Sequence, residues 1–176
     1  MVRADAFIAA VPAAPLLSLL PGNLRAQGFF AAAAGMETSP IVGVHIWYDR
    51  PVMTGNFIAA LDSPVQWVFN VSAMQGEREQ SGWQHVVISL SGAWQWRDMT
   101  KAGLREIFVP EMARIFPAAA QAQVMRFLTV KTLDATFRPT PGADARRLPQ
   151  RTPVPNLFLA GDWTVTGWPS SMEGAV

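Results

Sequence analysis

The hydrophobic period changes twice along this chain, and that constrains the fold more than any other feature. Residues 6–11 and 157–160 are continuous apolar runs, the pattern of parallel strands covered on both faces. Between them the period is two. Val42, Val44, Ile46 and Tyr48 alternate with Gly43, His45, Trp47 and Asp49. Val86, Ile88 and Leu90 alternate with His85, Val87 and Ser89. Each set predicts a strand with one strongly apolar face. Residues 57–61 and 66–71 read as two more strands joined at Asp62-Ser63-Pro64, and residues 124–137 as another. Short links between such strands favour an antiparallel sheet. A mixed α/β chain with parallel-type strands at its ends and an antiparallel block inside predicts one domain inserted into another, the insertion covering about 38–138.

Helical segments fill the gaps. Residues 15–20 and 23–34 are leucine- and alanine-rich and are predicted helical, split by Pro21-Gly22. Residues 100–116 place Leu104, Ile107, Phe108, Met112, Ile115 and Phe116 at helical spacing, with Pro110 expected to kink or split the helix. Residues 138–155 hold five prolines, one glycine and four arginines, and read as a long surface loop. Glu77-Arg78-Glu79 reads as a polar turn.

Composition narrows the function classes. Charged residues are 15% of the chain, against about 25% in an ordinary globular protein. Seven tryptophans and ten phenylalanines add a heavy apolar load. A partner segment, an apolar ligand cavity or a membrane-facing patch would each use such surface. The net charge of +1 gives no argument for nucleic acid. Without cysteine there is no disulfide framework and no thiolate chemistry, which permits a cytoplasmic setting. Two distant histidines do not make a zinc site, so no metal is expected. Arg3 ahead of residues 6–20 resembles a signal peptide, but Asp5, Pro12 and Pro15 interrupt the run. No run reaches the roughly 18 apolar residues of a membrane span.

The C-terminal residues carry the chemistry. An apolar strand that ends in Gly161-Asp162 is what a nucleotide-binding sheet offers at its carboxyl edge. Gly161 permits close approach to backbone, and Asp162 presents an acceptor-only carboxylate suited to ligand hydroxyls. An Asp that merely caps the next turn fits equally. Ser170-Ser171-Met172-Glu173 matches a capping box, with Ser170 as N-cap and Glu173 at the third helical position. The helix that starts there would present unpaired N–H groups to an anion. An ordinary capped helix would look the same. The sequence ends about one turn into that helix, and a single turn is not stable alone. The expectation is the back part of a longer protein.

The segment Asn156-Leu-Phe-Leu-Ala-Gly-Asp-Trp-Thr164, with Gly167-Trp-Pro-Ser-Ser-Met-Glu-Gly-Ala-Val176, resembles the C-terminal signature of FAD-dependent amine oxidase and phytoene desaturase-like flavoproteins. The resemblance extends to residues 4–12, 38–53 and 135–142. Within that superfamily it is most similar to squalene-associated FAD-dependent desaturases, the hydroxysqualene dehydroxylases of hopanoid biosynthesis. The resemblance implies a partial FAD-binding parallel sheet from 1–37 and 139–176, with an inserted antiparallel-sheet substrate domain at 38–138. It implies FAD as cofactor, with Gly161, Asp162, Trp163 and Thr164 at the ribityl chain. Met172, Glu173, Gly174 and Ala175 would form a helix start under the flavin pyrimidine ring. It also implies an apolar isoprenoid substrate, and a pyrophosphate-binding G-x-G-x-x-G segment that these residues do not contain. Val165 stands where close relatives are expected to carry Asp. Peripheral membrane contact fits the low charge.

Other residues leave alternatives open. His45 or His85 could act as a general acid for a departing hydroxyl, or be ordinary strand histidines. Trp47, Trp67, Phe69, Trp94 and Trp96 could line an isoprenoid tunnel or fill a core. Trp163 and Trp168 would flank the flavin edge. Arg138, Arg146, Arg147 and Arg151 read as a solvated face. Two rival functions remain: a flavin amine oxidase, and a cofactor-free lipid-binding or interaction module.

Overall fold

The computed structural model describes residues 3–76 and 82–175; the turn expected at Glu77-Arg78-Glu79 lies outside them. The chain forms two compact units, residues 39–135 and residues 1–38 with 136–176.

The 39–135 unit is a five-stranded sheet of β2 (Thr38–Tyr48), β3 (Phe57–Ala59), β4 (Trp67–Asn70), β5 (Gln84–Ser91) and β6 (Val124–Phe137). Their order in the sheet is β3-β4-β5-β2-β6. The period-two segments pair antiparallel, with Val44 opposite Ile88 and Ile46 opposite Val86. Because side chains alternate across a strand, Val42, Val44 and Ile46 share one face with Val86, Ile88 and Leu90, and all six are fully buried. The β3–β4 turn uses Asp62 at φ 52°, which a short polar side chain tolerates. After the short helix α4 (Val71–Met74), helix α5 (Lys101–Ile115) covers the apolar face with Leu104, Phe108 and Met112. Thr100 caps it, its Oγ1 accepting from the Gly103 N–H at 3.1 Å.

Pro110 does not split this helix, which runs through it. Proline in a helix interior costs about 3 kcal/mol, and burying Phe108 and Met112 on either side offsets a cost of that size.

The other unit is built from short elements. β1 (Phe7–Ala9) and β8 (Leu157–Leu159) pair parallel, with Ile8 beside Phe158. Short helices follow β1: α1 (Ala13–Leu19), α2 (Gly22–Arg25) and α3 (Gly28–Ala31). β7 (Leu148–Pro149) pairs parallel with β9 (Thr164–Val165). Leu16, Phe30, Leu159 and Trp163 centre a separate apolar cluster. The β1–β8 ladder has two strands and is not covered on both faces: Ile8 is 71% exposed and Phe7 40%. Among the described residues no helix is long and apolar enough to cross a membrane.

Candidate functional site

The C-terminal segment folds back on itself after β8. Gly161 has φ 135°, which L side chains rarely adopt. Its carbonyl accepts from both the N–H and the Oγ1 of Thr164, at 3.0 and 2.8 Å. A Cβ on Gly161 would lie 3.1 Å from the Trp163 indole, so that side of the glycine is taken by protein rather than open to a ligand. Trp163 is 4% exposed and donates its indole N–H to the Val11 carbonyl at 2.9 Å. Thr164 is 1% exposed. The polar side-chain atoms of Trp163 and Thr164 are thus engaged by the protein itself.

Asp162 is placed differently. Its Oδ2 accepts from Ser170 Oγ at 2.7 Å. Its Oδ1 has no hydrogen-bond partner among the described residues. That oxygen can accept from a hydroxyl brought by a ligand.

The capping box expected at Ser170 is not formed. Ser170 is spent on Asp162, and Ser171 Oγ instead receives the Gly174 N–H at 3.3 Å. The helix expected there is, among the described residues, one 3₁₀ turn at Glu173–Ala175. Met172 is 91% exposed, while Gly174 is buried. A Cβ on Gly174 would stand 3.0 Å from the Pro169 carbonyl, so only glycine fits this close backbone approach.

Arg147 organises this segment, and reading the 138–155 loop as a solvated face misplaces it. Its side chain is 8% exposed. Nη2 donates to the carbonyls of Asp162 and Thr164 at 3.1 and 2.6 Å, and Nη1 to that of Trp168 at 3.0 Å. The guanidinium carbon lies 5.9 Å from the Phe137 ring centroid, within cation–π range. Its buried Nε has no partner among the described residues. Beside it is a hollow of about 480 Å³ lined by Phe137, Pro139, Asp144, Arg147, Val165, Gly167, Trp168, Pro169 and Ser170, a size that holds small ligands. The only sequence signal was Leu148 after it, an apolar residue that marks a strand inside a proline-rich stretch. Arg138 and Arg146 do sit outward, on Glu37 and the Gly35 carbonyl.

A second group of functional types lies in the 39–135 unit. His45 Nδ1 and His85 Nε2 are 3.1 Å apart. Trp47 stacks on His85 with centroids 4.0 Å apart at 6°, and the Arg126 guanidinium lies over Trp47 at 4.9 Å. Burial lowers the pKa of His45, which favours neutral imidazole. The proposed tunnel aromatics divide. Trp67 and Phe69 stack near Phe57, whereas Trp96 packs edge-on against the core residue Phe108 at 5.2 Å.

Known proteins resemble the chain along its whole length. The pattern of the flavin containing amine oxidoreductase family matches residues 1–176. The chain is 28% identical over 181 residues to 15-cis-phytoene desaturase of Synechococcus elongatus, covering 100% of this chain and 38% of that protein. It is 30% identical over 178 residues to hydroxysqualene dehydroxylase of Sinorhizobium fredii, covering 98% and 36%. Among solved structures, a putative protoporphyrinogen oxidase from Exiguobacterium superposes with a TM-score of 0.68 at 12% identity, over 98% of this chain and 38% of that one. Putrescine oxidase bound to putrescine gives 0.62 at 15% identity, over 96% and 39%. The chain thus spans under two fifths of each of these four proteins, and the structural likenesses bear on fold alone. The match over 1–176 settles the family: the chain belongs to the flavin containing amine oxidoreductases, with FAD as its cofactor.

Proposed function

We propose that this chain is part of an FAD-dependent oxidoreductase acting on a long isoprenoid, most concretely one that reductively dehydroxylates hydroxysqualene to squalene. In this reading residues 1–37 and 139–176 belong to the FAD-binding domain and 38–138 to the substrate domain. Asp162 carries the reading. Its Oδ1 is available to a ribityl hydroxyl, and its Oδ2 is held by Ser170. Arg147 fixes the backbone at Asp162 and at Thr164. When bound, the flavin supplies hydride chemistry; the protein binds, orients and excludes water. Two relatives named for isoprenoid substrates support the substrate class. So does the aromatic face of the 39–135 unit. Exposed Leu19 and Leu61, 72% and 84% accessible, would suit peripheral membrane contact.

An amine substrate is the second reading. A polar aromatic cage for an amine would draw on tyrosine, and the single tyrosine, Tyr48, is buried to 1% exposure. That disfavours it.

The test is Asp162→Ala in the full-length protein. The purified variant should lose most of its yellow cofactor, with flavin per protein falling at least about tenfold, the scale of a charge-assisted hydrogen-bond pair lost. Unchanged flavin content would remove Asp162 from the site.

A further inference from the structure

The face of the 39–135 sheet opposite its core carries a row of aromatic and aliphatic side chains. Phe57 pairs with Phe69, Phe69 with Val87 and Val87 with His45, in one row across four strands. The imidazole pair interrupts this surface. His45 and His85 share one hydrogen bond through Nδ1 and Nε2, so one ring donates there and the other accepts. Their orientation is fixed by Trp47, stacked on His85 and itself covered by Arg126.

That arrangement leaves Nε2 of His45 without a hydrogen-bond partner among the described residues. Gly43 stands beside it, two residues along the same strand and on the same face. A Cβ on Gly43 would lie 3.5 Å from His45 Nε2 and 3.8 Å from the Val130 carbonyl oxygen. The φ of Gly43 is not positive, so its backbone does not require glycine. A glycine inside a strand weakens it and marks a place where something approaches closely. Here the space it leaves opens onto an unpartnered ring nitrogen.

We propose that Gly43 and His45 form a hydroxyl-binding subsite on this apolar face, with His45 Nε2 hydrogen-bonding an isoprenoid alcohol over the bare Cα of Gly43. The proposal rests on the isoprenoid reading above and sharpens it toward a hydroxylated substrate. A hydroxyl both donates and accepts, so it pairs with Nε2 in either tautomer. A hydrocarbon offers Nε2 nothing. An ammonium only donates, and the guanidinium of Arg126 on the neighbouring Trp47 disfavours a second cation.

The experiment measures dissociation constants of hydroxysqualene and squalene with the complete flavoprotein, by tryptophan quenching. The wild type should hold hydroxysqualene about tenfold more tightly, the worth of one hydrogen bond to an otherwise unpartnered group. Gly43→Ala places a methyl group against Nε2, and His45→Phe removes the nitrogen. Each should bring the ratio to about one while squalene binding stays within about twofold of wild type. Should His45→Phe not fold, Gly43→Ala decides alone, because its methyl sits at ordinary contact distance. Equal wild-type affinities, or a preference that survives Gly43→Ala, would overturn the subsite and leave the isoprenoid reading standing. A wild type that binds neither ligand overturns both.

Discussion

The two units of this chain reach order by different means. The 39–135 unit depends on apolar burial: β2, β5 and α5 contribute a run of fully buried residues, among them Val44, Ile88 and Phe108. The unit of 1–38 and 136–176 has short strands and helices, and its C-terminal segment is held by a few long-range hydrogen bonds. Arg147 grips three carbonyls, Trp163 reaches back to Val11, and Ser170 holds Asp162. Burial is non-directional and tolerant of detail. Carbonyl clamps are directional and fail when one donor is lost. A site that must place a carboxylate oxygen benefits from the second device.

The sharpest way to break this contrast is Phe108→Ala. Emptying a fully buried aromatic position should cost the 39–135 unit about 3–5 kcal/mol, read as loss of hydrogen-exchange protection in peptides of β2 and β5. A loss below about 1 kcal/mol would mean that the core is not what holds this unit.

Arg147→Met tests the other side. The shorter apolar chain keeps the stem's packing but leaves the carbonyls of Asp162, Thr164 and Trp168 without their donor. The cost should be on the order of 2–3 kcal/mol, confined by hydrogen exchange to residues near 147 and 161–170, with lowered flavin content in the full-length protein. Arg147→Lys should rescue little, because an ammonium lacks the planar fork.

Tyr48→Phe should shift stability the other way. The Tyr48 hydroxyl is buried with no partner among the described residues, so deleting it should stabilise the 39–135 unit by about 1 kcal/mol in urea unfolding. Burial pushes this phenol up to about 12, partly opposed by the positive charge of Arg105. In the unfolded chain it ionises near its ordinary value of 10. The unfolded state therefore loses its proton first, and Tyr48 subtracts stability as pH rises from 10 toward 12. As the only tyrosine of this sequence, it should show little tyrosinate absorbance at pH 10–11 while folded.

The smallest effect concerns Glu111. Hydrogen bonds from Arg114 and then Ser63 hold its carboxyl below the ordinary glutamate range. A lowered folded-state pKa gives stability that is present above the ordinary range and is lost as pH falls through the folded value. The difference in urea midpoint between wild type and Glu111→Gln should accordingly be small at pH 7 and shrink as pH falls below the ordinary glutamate range. A constant difference would assign it to packing.

What could be read ahead of the structure was what local pattern encodes. The alternation of 42–48 and 86–90 gave the strands, their buried faces and the antiparallel pairing, because a period of two leaves only one face to bury. Thr100 marked the start of α5. The run at 157–160 and the Gly161-Asp162 pair marked the strand end where Asp162 keeps an open oxygen. Pro110 misled because its penalty is local, whereas the burial of Phe108 and Met112 that offsets it is tertiary. The side-chain partners were not encoded in spacing: Ser170 and Asp162 lie eight residues apart, His45 and His85 forty, Trp163 and Val11 a hundred and fifty-two. The sequence alone thus determined which residues of 42–48 and 86–90 face inward, since that follows from periodicity. Only the tertiary structure decided that Arg147 is buried, that Trp163 and Thr164 serve the protein itself, and that one nitrogen of His45 is left open beside Gly43. Each of those depends on which chain segments meet, and no short-range pattern carries that information.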